Sequence, residues 1–294
     1  METLPRRADD EVMHYDTNTV LILGGTGRSG STTARMLAHE GIGVRTAARH
    51  GADARFDWDD AATHSEALSG VDRLYLVTPV MRVSYAEQVA AFLDRAEQAG
   101  VRHVTYLSTY NADQAPPGVD IVAVEADLAA RTNLTHTVLR PAWVMQNFAD
   151  EHLPVVDGVI TAPSGGGAEA FVDAQDIAAV AAETLLRPDA HAGATYTLTG
   201  PQALTFGQVA DLISEAAGRP VRYQDLDPEA WIGGALAAGV PADYAVMLRW
   251  LTGAIIDHRG STPTADIEKV TGRAPTSFRA FAERSAHVWN ADRS

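Results

Sequence analysis

The feature that most constrains this chain is a glycine loop set directly behind an apolar run: TVLILGG (19–25) continues into Thr26-Gly27-Arg28-Ser29-Gly30. The loop satisfies GxGxxG counted from Gly25 and GxxGxxG counted from Gly24. Glycines at these spacings serve where a strand turns sharply into a helix, where backbone approaches a pyrophosphate, and where helix packs closely on strand. The helix N-terminus then presents N–H groups and a partial positive charge to phosphate. The loop therefore predicts strand, turn and helix in that order, with Gly24, Thr26, Gly27, Arg28, Ser29 and Gly30 around a dinucleotide. A side chain at Gly27 is expected to fill the pyrophosphate's space and to oppose the backbone geometry of the turn. Residues 25–32 also match a Walker loop, except that Ser31 stands where the phosphate-gripping lysine belongs, so nucleoside triphosphate hydrolysis is disfavoured.

After the loop, short apolar runs alternate with helix-period segments, the pattern of βαβ units and a parallel sheet. Strands are expected at 19–25, 43–49, 54–58, 72–79, 101–108 and 135–141, the third being the weakest. Between them the pattern predicts a helix through STTARMLAHE closed by Gly41, a helix opened by a Ser84–Glu87 capping box, and a helix over 121–131. The fold class is α/β: a Rossmann-type, doubly wound parallel sheet in residues 17–150 with a smaller substrate-side region, 151–294, whose strands contribute to the same fold. In that second part PSGGG (163–167) precedes helices at 173–186 and 206–218, with a short strand, 196–200, between them. Asp176 reads as a cap for the first of these helices, and residues 1–16 as a flexible arm.

NAD-specific folds place a carboxylate about twenty residues beyond the glycine loop, at the end of the second strand, to hold the ribose 2′-OH. That strand ends Ala47-Ala48-Arg49, with a guanidinium suited to a 2′-phosphate as a charge-assisted partner. NADP(H) is therefore favoured over NAD(H), the competing reading being a solvated strand-end arginine. Asp57, ending the third strand, is placed either at the adenine edge or simply on the surface.

A formal net charge of -15 disfavours nucleic acid and anionic membrane surfaces as partners, so phosphate has to be captured locally. There is no cysteine, and the ten histidines lack ligand spacing, so no metal site is expected. With neither a signal-like apolar segment nor a long apolar span, the expected location is the cytoplasm. The expected partner is a small-molecule substrate; a homodimer is compatible with the sequence without being required by it.

The segments LILGGTGRSG (21–30), VRTAAR (44–49), LYLVTP (74–79), AEQAGVRHVTYLST (96–109), THTVLRPAWVMQNF (135–148), FVDAQDIAAVAAETL (171–185), YTLTGP (196–201) and TGRAPTSFRAFAERSA (271–286) run in one order across nearly the whole chain. Together they resemble the NmrA-like, atypical branch of the short-chain dehydrogenase/reductases, near its quinone-reductase-like and agroclavine-dehydrogenase-like members. The resemblance implies that Thr78, Pro79 and Val80 pass beside the ribose and nicotinamide and that Ser108 and Thr109 lie under the nicotinamide. It further implies that the segment from Pro141 to Phe148 lines the substrate cleft, with Trp143, Asn147 and Phe148 as its contacts. All three segments follow C-terminal strand ends, where ligands of open α/β sheets bind. For Trp143 and Phe148, core packing is the alternative.

The chain departs from the wider superfamily at the catalytic Tyr-xxx-Lys pair, because Lys269 is the only lysine among 294 residues and lies far from the expected helix. Tyr110 is the remaining candidate donor, against a packing role, and Glu125 sits on the helix that carries the lysine in relatives, against a place on a solvated helix face. The reading is an NADPH-dependent reductase without that pair, acting on an imine or iminium, a quinone or a conjugated acceptor. Rival readings are a sensor that binds NADP(H) without turnover, and a lyase or isomerase using Tyr110 or Glu125 as base. Trp143, Phe148, Trp231, Tyr244 and Trp250 supply the aromatic lining that a shaped cleft needs.

Overall fold

In the computed structural model, which describes residues 18–150 and 152–290, the first strand supplies both layers of the core at once. In β1 (Thr19–Leu23), Leu21 and Leu23 enter one hydrophobic cluster while Val20 and Ile22 enter the other. Successive side chains of a strand point to opposite faces, so a continuous apolar run is the signature of a strand covered on both sides. The expected N-terminal arm, residues 1–16, lies outside the described residues.

The first half alternates strand and helix, with β3 shorter than expected and α2 an element the pattern did not predict: α1 (Arg28–His39), β2 (Gly43–Ala48), β3 (Ala54–Arg55), α2 (Ala62–Leu68), β4 (Arg73–Leu76), α3 (Ala86–Gln98), β5 (His103–Leu107), α4 (Ile121–Ala130) and β6 (Thr135–Pro141). The second half adds β7 (Val159–Ala162), β8 (Ala168–Glu169), α5 (Ala174–Leu186), α6 (Pro188–His191), β9 (Thr195–Leu198), β10 (Leu204–Thr205) and α7 (Phe206–Ala217). It ends with β11 (Arg222–Asp225), α8 (Pro228–Ala237), α9 (Ala245–Ile256), α10 (Asp266–Thr271) and α11 (Phe278–Asn290). Seven parallel strands form one sheet in the order β3-β2-β1-β4-β5-β6-β9, a doubly wound Rossmann sheet with β9 added at its far edge. Helices α2, α3 and α4 bury Leu68, Phe92, Leu93 and Leu128 on one face, and α1 and α5 bury Leu37, Ile177 and Leu185 on the other. Because β9 and α5 lie beyond residue 150, the sheet and its cover run across that position.

A third cluster holds the C-terminal elements together: Phe148, Phe171, Phe206 and Phe278 meet edge-on, with ring centroids 5.3–5.9 Å apart. Two small sheets, β8 with β10 and β7 with β11, lie in this part of the chain.

Helix starts show where local patterns yield to tertiary partners. The expected Ser84–Glu87 capping box does not form; α3 begins at Ala86, and the Asp120 carboxylate, arriving just before α4, accepts from the N–H groups of Tyr85 and Ala86. A charged acceptor brought in by the fold replaces the local serine. Asp173, and not Asp176, caps α5, its Oδ1 accepting from Gln175 N at 2.8 Å. Asp176 is buried and instead accepts from Thr276 N at 2.7 Å, which ties the C-terminal segment to α5. Gly41 has the positive φ of +76° expected after α1, and Thr205 with Gln208 completes a capping box on α7.

The end of the sheet away from the glycine loop carries a buried polar layer. His103 is 1% exposed and its Nδ1 lies 2.8 Å from Thr135 Oγ1. Burial, reinforced by His136 and Arg73, pushes its pKa down from 6.5 to about 4. The ring is thus neutral when folded and gains a proton more readily when unfolded. Stability from this site is complete above pH 6.5 and is lost as pH falls toward 4. The loss between pH 7 and pH 5 amounts to about 2 kcal/mol at 1.36 kcal/mol per unit. Urea unfolding at those two pH values should show His103→Gln losing less stability on acidification than the wild type; an equal loss would remove His103 as the cause.

Candidate functional site

The glycines of the loop meet different constraints. Gly24 has φ +64°, the left-handed region that favours glycine. At Gly25 a Cβ would lie 2.6 Å from Thr46 Cβ on β2, and at Gly30 one would lie 2.4 Å from the Gly24 carbonyl oxygen. These two contacts bring β1, β2 and α1 together. Gly27 differs from all three: its φ of -82° and ψ of 176° suit any residue, and a Cβ there would meet only the Gly24 oxygen, at 3.1 Å. The expected backbone strain at Gly27 is therefore absent. The chain itself leaves the space above Gly27 open.

Gly27 is the N-cap of α1 and no side chain caps that helix, nor does its first turn hold an acidic residue. Ser29 is fixed from below, its Oγ accepting from the Tyr75 hydroxyl at 3.1 Å and its carbonyl accepting from Thr33 Oγ1 at 2.9 Å. Arg49 emerges just after β2, exposed, on a turn closed by Asp53, whose Oδ2 accepts from Thr46 N at 2.9 Å and Thr46 Oγ1 at 2.7 Å. Among the described residues Arg49 forms no hydrogen bond or ion pair. This set, an uncapped helix start, an open Gly27 and an exposed guanidinium at the next strand end, fits a dinucleotide carrying a 2′-phosphate.

A cavity of about 480 Å³ opens beyond the C-terminal ends of β4, β5 and β6. It brings together Thr78, Pro79 and Val80, then Ser108, Thr109 and Tyr110, then Trp143 and Asn147, along with Trp231, Tyr244 and Trp250. Hydrogen bonding between strands continues past their ends: Ser108 N donates to Leu139 O at 2.8 Å and Tyr110 N to Pro141 O at 2.9 Å. Trp143 is held likewise, its carbonyl accepting from Val172 N at 2.9 Å. Thr78, Tyr85 and Tyr106 lie together in the wall. Burial pushes the Tyr85 phenol up to about 12 and the Tyr106 phenol well above its ordinary range.

Four expected site residues sit differently from the expectation. Phe148 is 1% exposed inside the aromatic cluster, with its carbonyl accepting from Trp289 Nε1 at 2.9 Å, so it supports the cleft segment from behind and does not line the large cavity. Asp57 falls past the shortened β3, where its Oδ1 accepts from Asp59 N at 3.1 Å in a turn of its own. The Arg28 guanidinium leaves the loop and reaches across the cleft to Asn147 Oδ1 at 2.9 Å and to the Asp150 carboxylate. Glu125 lies on neither a solvated face nor the cavity wall. Its carboxylate accepts from Arg140 Nε at 3.1 Å and Nη2, and from Ser108 Oγ at 2.6 Å. A carboxylate so occupied is no free base; it orients Ser108.

Tyr110 does line the cavity, but burial first, then the charges of Glu169 and Asp113, raise its pKa and hold its proton more tightly. Sequence reasoning missed Glu169 itself. This side chain, 2% exposed, is the one carboxylate among the described residues lining the cavity. Burial raises its pKa from 4.5 to about 7, opposed only by a hydrogen bond from the Trp143 backbone. Two residues ahead of FVDAQD, it carries no motif of its own, and only the pairing of β8 with β10 and the proximity of Gly260 bring it to the cleft.

An oxidoreductase of Bacillus subtilis, YesF, is 36% identical over 92% of this chain and 96% of its own length. An NAD(P)H azoreductase of Xenophilus azovorans is 30% identical over 92% of this chain and 99% of its own. The crystal structure of an NADPH-dependent quinone oxidoreductase of Escherichia coli in complex with NADPH superposes with a TM-score of 0.73 at 26% identity, covering 92% of this chain and all of that one. The NmrA-like family model matches residues 16–272, and by that match, joined to the seven-stranded Rossmann sheet and its glycine loop, the chain belongs to the NmrA-like family.

Proposed function

We propose that this protein is an NADPH-dependent reductase of small organic acceptors such as quinones, conjugated carbonyl compounds and imines. The observation that carries this reading is the single cleft in which Thr78–Val80, Ser108–Tyr110 and Trp143 converge beside an uncapped glycine-loop helix. The azoreductase and quinone oxidoreductase among its relatives support the same reaction class.

Bound NADPH supplies a hydride; the remaining work falls to the chain. Gly27 and the first N–H groups of α1 would hold the pyrophosphate, and Arg49 would hold the 2′-phosphate. Ser108, fixed by Glu125, and Thr78 beside it position the nicotinamide side. Trp143, Trp231, Tyr244 and Trp250 form an apolar wall that seats a flat acceptor and excludes water. With no lysine in the site, no tyrosine is lowered toward neutrality, so a simple ketone, which builds up alkoxide charge, is a poorer substrate than an acceptor that spreads its charge.

Two binding measurements follow. Arg49→Ala should weaken NADPH by roughly tenfold to a hundredfold, the equivalent of about 1.5–3 kcal/mol, and leave NADH nearly unaffected. Calorimetric titration with both cofactors decides it, and equal losses for the two would end the 2′-phosphate assignment. Gly27→Val should abolish dinucleotide binding while the melting temperature stays within a few degrees of wild type, since its Cβ meets only one protein atom. Unchanged affinity would place the pyrophosphate elsewhere. Turnover is read by NADPH absorbance across quinones, cyclic imines and plain ketones; no oxidation of NADPH by any of them overturns the reductase reading.

A further inference from the structure

A reductase must deliver a proton as well as a hydride whenever its acceptor builds negative charge on oxygen or nitrogen, and the pair that does this in Tyr-Lys enzymes is missing here. Four phenols reach the cleft, Tyr85, Tyr106, Tyr110 and Tyr244, and burial raises all four. None gives up a proton readily. Arg82 and His152 lie on the lining too, but the Arg82 guanidinium pairs with Asp59 and His152 Nδ1 is 2.8 Å from Asp150 Oδ1. What is left is one carboxyl group.

Glu169 ends β8, and its backbone is pinned on both sides: Leu204 of β10 pairs opposite it, and Ala170 N donates to Gly260 O at 2.9 Å. Its carboxyl group lies flat against Gly260, where an added Cβ would come within 2.0 Å of Oε2 and 2.2 Å of Oε1. The group thus has a seat that only glycine leaves open. Facing it are Tyr110 from the end of β5, the Trp143 N–H from the end of β6, and the His258-Arg259-Gly260 segment after α9. Arg259 turns toward Asp257, Nε to Oδ2 3.6 Å, and His258 Nδ1 accepts from Ala168 N at 3.3 Å. Among the described residues no lysine, arginine or histidine pairs with Glu169. A carboxylate buried without a cation costs several kcal/mol, a cost removed by holding the proton.

Resting on the reductase reading, we infer that Glu169 is the proton donor of this cleft, a catalytic acid that the chain uses in place of Tyr-Lys. As hydride adds to the acceptor, the acceptor's oxygen or nitrogen takes the proton from the Glu169 carboxyl. The bond broken is carboxyl O–H and the bond formed is substrate O–H or N–H; NADPH is oxidised, the acceptor is reduced, and water reprotonates the carboxylate. A pKa raised by burial to about 7 suits such an acid, because the proton is then present at neutral pH and still transferable. The donor is active below that value and fails above it.

The test compares a neutral para-quinone, which needs the proton, with an N-alkylated iminium cation, which hydride alone completes. Wild-type turnover of the quinone should fall tenfold per pH unit above about pH 7. Glu169→Gln should lose that limb and drop the rate at pH 6 by roughly a hundredfold to a thousandfold. The loss on the iminium should be at least tenfold smaller, NADPH affinity by calorimetry should hold, and Glu169→Asp should restore a pH limb. Independently of turnover, infrared difference spectra of wild type against Glu169→Gln should show one carboxyl band titrating near pH 7. A band titrating in the ordinary carboxylate range, a quinone rate within threefold of wild type, or equal losses on both acceptors would overturn the proposal. Failure of the reductase reading is distinguishable: the carboxyl band would still titrate near pH 7 and NADPH would still bind, but no acceptor would be reduced, and both readings would fall.

Discussion

The architecture depends on one close approach, that of Gly30 to the carbonyl oxygen of Gly24. A single added carbon at Gly30 would stand 2.4 Å from that oxygen, so the start of α1 sits against the end of β1 at a distance no side chain allows. Fixing that angle sends α1 across the face of the sheet, where Leu37 joins Val20 and Ile22, and leaves the opposite face of β1 to α2, α3 and α4. The same approach leaves the amide groups at the start of α1 uncapped. Core formation and ligand capture are consequences of one contact, and this is why a glycine loop constrains so much more of a fold than its length suggests.

Beside the cleft, charge is paired in a network around Ser108. Glu125 lies on α4, and β6 answers it with Arg140. Asp113 adds a second carboxylate to that guanidinium, at 3.0 Å, and Ser108 donates into the pair at 2.6 Å. The network has both signs of charge already matched. It holds Ser108 in one orientation and offers nothing to lower a phenol.

Much of this was legible in the sequence, and the boundary between legible and hidden has a physical form. Period-2 and period-3.6 patterning, with Gly41 at a positive φ, located the sheet, its order of elements and the C-terminal strand ends, because those signals are local. Thr78, Ser108, Tyr110 and Trp143 meet in one cavity because each follows a parallel strand end. What failed was everything decided by a partner distant in sequence. Asp120 displaced the Ser84–Glu87 box from thirty-odd residues away, Thr276 drew Asp176 away from capping α5, and the aromatic cluster took Phe148 out of the cleft wall. Arg28 keeps its place in the loop while its guanidinium pairs with Asn147 and Asp150, acceptors that the motif cannot see. Glu169 was the most deeply hidden, since a lone glutamate beside a two-residue strand reads as surface until Gly260 is placed against it.

That hidden carboxyl changes how the cleft discriminates between acceptors. The aromatic wall accepts flat molecules of either charge, because ring faces attract cations and stack equally well on neutral π-systems. Selection by charge therefore falls to the one ionisable group in the wall that no cation of the chain neutralises. Protonated, Glu169 favours neutral acceptors that end the reaction by taking a proton; ionised, it attracts cations and has no proton to give. A group held between these states near neutrality lets one cleft serve both kinds of acceptor at different pH. A phenol assisted by lysine works differently, since the cation that lowers the phenol also repels a cationic substrate. A buried glutamate carries no such repulsion, so a cleft whose described lining holds no lysine admits acceptors of a wider range of charge.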